Sequence, residues 1–434
     1  MRLVAVMLAA VSMASLAAPV RAGWVTLPNG PIAPNARHDD VFFASPDSGW
    51  VVNGSGQILR TTDGGDSWTL QTTTSNYLRS VGFATTLKGW AGALFGTPLV
   101  YATNDAGVTW TPITNIPDPQ PTGICGLSVV NSNVVYGVGR YDGPPAILIK
   151  TTDGGATWTS RDMAPYATSL IDVHFFDELN GLAVGGTGSS LSSRHSVILS
   201  TSDGGATWQT RYNPNRPGGE WCWKISFANR LTGFVSIERE DGLAPSYIAF
   251  TTDGGVTWGE IRFVDGYDIQ GVGFVSGLKG WAGGWSGDTY ETVDGGASWH
   301  LAGFGFYLNR VRFLSPSLAY GVGETVYKYT ADVTGVPEEP APQVSVLAQN
   351  CPNPVGSSTR IPFRLGAEEH VRVAVYDVQG RTLLTLFDGV RPAGSNEVKW
   401  DARDRDGNRV RAGVYWYRIE TPTRTEARKL VVVR

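Results

Sequence analysis

Six copies of an eight-residue pattern, Thr-x-Asp-x-Gly-x-Ser/Thr-Trp, constrain the fold of this chain more than any other feature of its sequence. Their Asp residues lie 41 to 50 residues apart and are Asp63, Asp105, Asp153, Asp203, Asp253 and Asp294. The pattern predicts a hairpin turn in which the carboxylate accepts backbone N–H hydrogen bonds, glycine adopts positive φ, and tryptophan starts the return strand. Catalysis needs one asymmetric constellation, whereas equivalent turns need the same chemistry each time. We therefore interpret the six Asp residues as structural.

A second repeat lies between the copies of the first, in which an apolar anchor is followed six residues later by a small-residue strand, as in FATTLKGWAGA. Seven anchors occur: Phe43, Phe83, Val129, Phe175, Phe227, Phe274 and Phe313. Their spacing of 39 to 52 residues suits four short strands, the size of one propeller blade. Trp24 supplies the tryptophan that the seventh repeat lacks, so residues 24–27 are predicted to complete the last blade beside a strand at 325–330. The predicted fold class is all-β: a seven-bladed β-propeller followed by a small antiparallel β-sandwich.

Composition and the N-terminal residues narrow the function classes. The 54 Gly, 15 Trp and 17% charged residues are typical of a turn-rich β protein, and a net charge of −4 gives no general attraction for nucleic acid. Arg2, the apolar run at 3–18 and the compact residues Val20 and Ala22, at the positions that a signal peptidase reads, predict a signal peptide over residues 1–22. No later segment approaches the ~20 apolar residues of a transmembrane helix. We expect an exported protein, secreted or held at the outer membrane or cell surface.

The arrangement of turns and anchors resembles the Asp-box (BNR-type) seven-bladed propellers of the photosystem II stability and assembly factor family, over residues 24 to about 335. The same blade motif occurs in sialidases, xyloglucanases and sortilin-type receptors. The resemblance therefore implies the propeller fold and does not imply one particular activity.

The pattern changes after a proline- and acid-rich linker at residues 336–346. Alternating strands and turn signals over 347–434 predict the sandwich. Its landmarks are Asn350-Cys351-Pro352-Asn353-Pro354, Tyr376-Asp377, Trp400-Asp401 and Gly413-Val414-Tyr415. They resemble the type IX secretion type A sorting domain and its relative, the immunoglobulin-like domain of flagellar hook-capping proteins. This resemblance implies a sorting or anchoring role, with the export machinery as a partner. The predicted domains are thus a signal peptide (1–22), the propeller (23–335), the linker (336–346) and the sorting domain (347–434).

Candidate ligand-binding positions lie just before the anchors. Positions four and three before each anchor are irregular and largely polar, while their neighbours are mostly apolar. Variation where the scaffold imposes no requirement points to the rim of the central channel, where aromatic and charged side chains suit a peptide, glycan or protein surface. The predicted binding residues are Asp39, Arg79, Asp172, Trp221, Trp223, Lys224 and Arg310. Ordinary solvated loop residues are the alternative interpretation.

The function favoured by these features is non-catalytic: a secreted or surface propeller that binds a protein, peptide or glycan ligand and is delivered by its C-terminal domain. A secreted carbohydrate-active glycoside hydrolase on the same scaffold is the alternative, and it would need two carboxylates ~5–10 Å apart across a cleft. No catalytic residue and no cofactor is assigned. No metal site is predicted either, because the turn containing Asp401, Asp404 and Asp406 lacks the terminal bidentate Glu of a calcium loop.

Overall fold

The computed structural model describes residues 23–34, 37–139, 144–214, 216, 219–239, 246–264, 268–285, 288–331, 346–347, 350, 355–365, 368–392, 394–422 and 425–433. The predicted signal peptide, residues 336–345 of the predicted linker and Cys351 lie outside the described residues. The chain divides into two compact units, Met1–Val333 and Thr334–Arg434. In the described part of the chain, the only helical element is a 3-10 turn at Leu191–Ser193, and no helix is long and apolar enough to cross a membrane.

The first unit consists of seven four-stranded antiparallel sheets, so the predicted seven-bladed propeller is confirmed. The first described strand is β1 (Gly23–Thr26). Blades one to three contain β2 (His38–Phe43), β3 (Gly49–Asn53), β4 (Gln57–Thr61), β5 (Thr69–Thr73), β6 (Leu78–Phe83), β7 (Gly89–Ala93), β8 (Val100–Thr103), β9 (Thr111–Ile113), β10 (Gly126–Val129), β11 (Val135–Gly139), β12 (Ile147–Thr151) and β13 (Thr159–Asp162). Blades four to seven contain β14 (Ser169–Phe175), β15 (Gly181–Thr187), β16 (His195–Thr201), β17 (Gln209–Tyr212), β18 (Glu220–Phe227), β19 (Gly233–Arg239), β20 (Tyr247–Thr251), β21 (Gly259–Arg262), β22 (Ile269–Phe274), β23 (Gly280–Gly284), β24 (Tyr290–Thr292), β25 (His300–Leu301), β26 (Arg310–Ser315), β27 (Leu318–Val322) and β28 (Val326–Thr330). The first strands of neighbouring blades contact one another and surround the central channel.

The last blade is closed by the opposite end of the chain. Strand β1 pairs antiparallel with β28, with Trp24 opposite Tyr329, so the predicted closure is confirmed. Trp24 stacks on Phe304 at a centroid distance of 4.7 Å and meets the edge of Trp281 at 5.6 Å. Because Trp281 belongs to blade six, this one side chain joins the closing strand to the neighbouring blade as well as to its own.

Aromatic stacking joins the blades and explains the anchor repeat. The anchor Phe83 of blade two lies flat on Trp50 of blade one, with ring centroids 3.5 Å apart, and meets the edge of its own blade's Trp110 at 5.9 Å. The ring also covers Gly89, where an added Cβ would lie 2.4 Å from the Phe83 ring. Glycine six residues after the anchor is therefore required by the inter-blade stack. Three other pairs repeat the 3.5 Å stack: Phe43 on Tyr320, Phe175 on Tyr136, and Phe274 on Phe234.

The six box turns share one hydrogen-bond pattern. In the third copy, Asp153 Oδ1 accepts hydrogen bonds from the Thr157 amide (2.9 Å) and the Thr151 hydroxyl (2.8 Å), while Thr151 Oγ1 accepts from the Gly155 amide (2.9 Å). The Thr157 hydroxyl donates to Asp153 Oδ2 (2.6 Å) and, with the donors to Oδ1, lowers the pKa of Asp153 to about 2. The carboxylate thus replaces the missing backbone partners of the turn.

The C-terminal unit is a two-sheet sandwich. Its strands are β29 (Val346–Leu347), β30 (Thr359–Leu365), β31 (Glu369–Tyr376), β32 (Thr382–Arg391), β33 (Gly394–Trp400), β34 (Gly413–Glu420) and β35 (Thr425–Val432). One sheet has the order β29-β30-β33 and the other β32-β31-β34-β35. Alternate residues such as Val371, Val373 and Val375 point into the shared core with Trp400 and Tyr417.

Replacing Trp24 with Ala tests the closure of the ring. We expect Trp24→Ala to lower the free energy of unfolding by about 2–3 kcal/mol, somewhat less than for a fully buried tryptophan, because three aromatic partners lose their contact. Val25→Ala is the matched control, since Val25 lies on the same strand but is 43% exposed and should change stability by less than about 0.5 kcal/mol. Urea denaturation measures both, and equal effects would contradict the closing role of Trp24.

Candidate functional site

The two ends of the propeller carry different features. Each box turn lies at the same end as the hairpin between the first two strands, as the Gly64 amide donating to the Asp47 carbonyl (2.9 Å) illustrates. The beginning of each first strand lies at the opposite end, together with the loops that join the second strand to the third. We call this end the top face. All candidate residues described below lie at the top face or in the channel beneath it.

The structure brings the seven predicted binding residues together inside the channel. They are Asp39, Arg79, Asp172, Trp221, Trp223, Lys224 and Arg310, with exposed fractions of 0% to 5%. The prediction that these residues line a solvated rim is therefore wrong. Side chains from blades around the ring fill the channel and pair with one another in place of water. We call these seven residues the channel plug. Their participation in ligand binding stays a prediction.

Arg310 joins the plug across the ring. Its guanidinium donates to both carboxylate oxygens of Asp172 (2.8 and 2.9 Å) and, from Nε, to Asp40 (3.1 Å). The same two carboxylates accept amide hydrogen bonds from the next blade, Asp40 from Val81 and Asp172 from Ile225. Burial alone would raise the pKa of Asp172, but Arg310 holds it well below its usual range. The charges of the plug thus also fix the spacing of the inner strands.

Arg79 and Trp223 form the second part of the plug. Arg79 pairs with Asp39, and its guanidinium carbon lies 4.8 Å from the centroid of the Trp223 ring. Trp223 Nε1 donates to Asn309 (3.1 Å), which in turn donates to the Asp39 carbonyl (2.7 Å). Trp221 packs beside Trp223 at 6.3 Å. Charge pairs and cation–π contacts therefore replace hydration along the channel.

Lys224 is the exception in this network. Its Nζ is fully buried and has no hydrogen-bond partner in the described part of the chain. Burial, with Arg310 and Arg79 nearby, lowers the pKa of Lys224 to about 7, although Asp172 and Asp40 oppose the shift. A substantial share of the Lys224 side chains is thus neutral at physiological pH.

Aromatic side chains are exposed where the channel opens at the top face. Trp285 follows β23 and is 45% exposed, and Phe306, which precedes β26, is 41% exposed. Tyr307 lies between them, with centroid distances of 5.6 Å to Trp285 and 4.7 Å to Phe306. The guanidinium carbon of Arg37, itself buried, lies 4.4 Å from the centroid of Trp285. We call Trp285, Phe306 and Tyr307 the aromatic mouth.

Two carboxyl groups lie directly beneath the aromatic mouth. Glu238, at the end of β19, is 6% exposed, and Asp268, just before β22, is partly buried; the two carboxyl groups are close enough for each to shift the pKa of the other. Gln270 donates to Glu238 and accepts from Arg37. The Asp268 carbonyl accepts from the Trp285 amide (3.1 Å). We call Glu238 and Asp268 the acid pair; within the described ranges, no group of three or more His, Cys, Asp and Glu side chains is placed to hold a metal ion.

Two parts of the chain match known protein families. Residues 31–140 match the family model of the photosynthesis system II assembly factor YCF48. Residues 356–424 match the FlgD immunoglobulin-like domain. No curated protein sequence matches the chain. Both predicted resemblances are thereby confirmed at the level of the YCF48-like propeller and the FlgD-like domain.

Two solved structures share the fold of the YCF48-like propeller. YCF48 bound to D1 peptide is 18% identical, with a TM-score of 0.54 over 73% of this chain and 99% of its own. YCF48 from Cyanidioschyzon merolae is 20% identical, with a TM-score of 0.55 over 71% of this chain and 99% of its own. At these identities the likeness shows the fold alone.

The prediction from sequence did not include the aromatic mouth or the acid pair. One signal was available: Trp285 stands just beyond the small-residue strand GWAGG, where the blade needs no aromatic residue. Glu238 and Asp268 carry no such signal, because their proximity depends on the packing of blade five against blade six.

Replacing Lys224 with Met tests the charge state of the plug. The pKa of Lys224 is 10.5 in the unfolded chain and about 7 in the folded protein. The unfolded state therefore binds more protons between these pH values, so the contribution of Lys224 to stability rises as pH rises from 7 towards 10.5. We expect Lys224→Met to be more stable than the parent at pH 6, by about 1 kcal/mol or more, and the difference to shrink at pH 8.5. Urea denaturation at both pH values measures this, with the half-exposed Lys279→Met as the control for charge loss. A variant less stable than the parent at pH 6 would contradict the interpretation.

Proposed function

We propose that the propeller is a non-catalytic binding module that holds a peptide or an extended protein segment across the channel mouth of its top face. The observation that carries the proposal is the aromatic mouth. Trp285 and Phe306 are large apolar side chains exposed on either side of Tyr307, at a place where the blade architecture does not require them. Grouped exposed aromatic residues of this kind mark interaction surfaces.

The aromatic mouth rests on a rigid support, which favours binding. Arg37 packs on Trp285 and is itself paired with Asp39 (3.3 Å), so the mouth is connected to the channel plug. A side chain ordered before binding loses less conformational entropy when a ligand arrives. YCF48 bound to D1 peptide supplies a further argument, because in that protein the same fold accommodates a peptide.

The glycoside hydrolase alternative is less well supported. Its mechanism needs two carboxyl groups separated by ~5–10 Å, with the glycosidic bond between them. Of the two carboxyl groups beneath the aromatic mouth, Glu238 is 6% exposed, and one of its oxygens already accepts a hydrogen bond from Gln270. A carboxyl group buried in this way is not accessible to a sugar ring, so we favour binding over hydrolysis.

We further propose that the chain is exported and that residues 347–434 deliver or anchor it. The apolar run at residues 3–18 and the match of residues 356–424 to the FlgD immunoglobulin-like domain support this proposal. Deleting residues 347–434 is expected to leave the propeller in the periplasm, as measured by cell fractionation and immunoblotting. Equal delivery of the truncated and full-length proteins to the surface or medium would overturn the sorting role.

Selection of peptides tests the binding function. The full chain and its Trp285→Ala variant are each panned against a random dodecapeptide library displayed on phage. We expect the parent to enrich related peptides and Trp285→Ala to bind them about thirtyfold more weakly, corresponding to a contact worth about 2 kcal/mol. Trp416→Ala is the matched control, because Trp416 is 42% exposed in the C-terminal unit. If no peptide is enriched, or if both variants bind like the parent, the proposed function is wrong.

A further inference from the structure

The apolar surface of the top face continues beyond the aromatic mouth. Glu324 lies in the loop between β27 and β28; its amide donates to the Phe306 carbonyl (2.9 Å), and its carbonyl accepts from the Ala33 amide (2.9 Å). Because hydrogen-bonded backbone segments lie about 5 Å apart, these two steps place Ala33 roughly 10 Å from Phe306. Ile32, the residue before Ala33, is 67% exposed. A third large apolar side chain is therefore exposed at the top face, after Trp285 and Phe306.

The segment that carries Ile32 is held against blade one. The Pro31 carbonyl lies 2.9 Å from Nε2 of His38, the first residue of β2. His38 Nδ1 lies 3.4 Å from Nδ2 of Asn53, the last residue of β3. Both His38 and Asn53 are buried. The backbone beside Ile32 therefore rests on packed side chains of the blade.

A second pair of aromatic side chains lies on the other side of the loop that follows β3. Gly54, in this loop, faces the Tyr77 ring so closely that an added Cβ would lie 2.5 Å from Tyr77 Cε2. Tyr77 meets Phe95 of blade two edge to face, with ring centroids 6.3 Å apart. The Tyr77 carbonyl also accepts a hydrogen bond from the Leu94 amide (2.7 Å), which fixes the loop that carries Phe95. Phe95 is 42% exposed, much like Trp285.

These contacts connect the exposed side chains into one row over blades six, seven, one and two. We call this row the apolar crescent; it consists of the aromatic mouth together with Ile32, Tyr77 and Phe95. Among the side chains that the structure describes, the other large apolar residues exposed on the propeller lie on the opposite face or on outer strands. The apolar crescent is therefore one-sided, and a ligand that it holds follows the same half of the ring.

The charges beside the apolar crescent favour a peptide over a lipid surface. Lipid-binding surfaces combine apolar side chains with exposed Lys or Arg that face the anionic head groups. Glu324, whose backbone joins the two parts of the row, and Asp288, three residues after Trp285, are instead exposed and acidic. Arg37, which packs on Trp285, is buried. Separate apolar side chains along a row suit the side chains of an extended peptide, because its backbone carries no net charge.

We propose that the bound peptide follows the apolar crescent and is recognised by two separated apolar side chains, one packed on the aromatic mouth and one on Phe95. This inference rests on the proposed peptide-binding function and adds the class of ligand, an extended segment with two apolar residues and Ile32 beneath the part between them. Two contacts on one chain strengthen each other, because the second forms without a further loss of translational freedom.

Peptide selection with the full chain and with Phe95→Ala tests the apolar crescent. We expect the parent to enrich dodecapeptides, which reach about 40 Å when extended, with apolar residues at two positions a constant number of residues apart. Phe95→Ala should keep the preference at only one position and bind the parent's peptides at least about tenfold more weakly. Ile32→Ala, the second variant, should weaken them at least about threefold. Leu87→Ala, at a 57% exposed residue of blade two on the opposite face, is the control and should behave like the parent.

Substitutions in one enriched peptide assign each contact. Replacing the apolar residue whose preference is lost in Phe95→Ala should weaken binding to the parent about tenfold and leave binding to Phe95→Ala nearly unchanged. Replacing the other apolar residue should weaken binding to both proteins equally. Equal melting temperatures of the parent and its variants exclude a loss of folding as the cause.

Three outcomes would contradict the proposal. A single apolar preference, unaffected by Phe95→Ala and Ile32→Ala, would overturn the apolar crescent while leaving binding at the aromatic mouth intact. We expect no sedimentation of the full chain with phosphatidylglycerol vesicles, and sedimentation that Phe95→Ala abolishes would assign the apolar crescent to a lipid surface instead. Failure to enrich any peptide would overturn both this inference and the proposed function.

Discussion

The stacking of an aromatic ring between neighbouring blades is the interaction on which the rest of this structure depends. Phe83 touches Trp50 of the preceding blade, the edge of its own Trp110 and the glycine beneath it, so one ring connects three strands. Each such pair contributes about 0.5–1.5 kcal/mol beyond its buried area. No blade can cover its own faces. The repeated stacks, together with the contacts of Trp24 in the closing strand, therefore join the separate sheets into one ring.

Closing the ring creates the conditions inside the channel. Seven inner strands converge, and their polar side chains lose water together. Arg310 then bridges Asp172 and Asp40, and both carboxylates also accept amides of the next blade. The carboxylates of these ion pairs are thus also hydrogen-bonded to backbone amides of the propeller. Lys224, without a hydrogen-bond partner within the described ranges, is the point where this compensation is incomplete.

The proposed binding site lies where the packed channel meets solvent. Trp285 is exposed, but Arg37 beneath it is buried and connected to the plug through Asp39. The acid pair lies at the same boundary, with Glu238 buried and Asp268 partly buried. A rigid aromatic surface at the channel mouth is suited to an extended peptide, and the fold supplies the rigidity.

The sequence by itself determined the all-β class, the seven blades, the closing strand at the N-terminal side and the likeness to YCF48 and FlgD-type domains, because turn and anchor residues repeat with the period of the blade. It also identified residues such as Arg79 and Arg310 that meet at the channel. Only the tertiary structure decided that these side chains are buried, since their exposure depends on the width of the closed ring. The mouth could not be predicted for a related reason: Arg37 and Gln270, in direct contact, are 233 residues apart in the chain, and no repeat specifies which blade-specific side chains become neighbours when the ring closes.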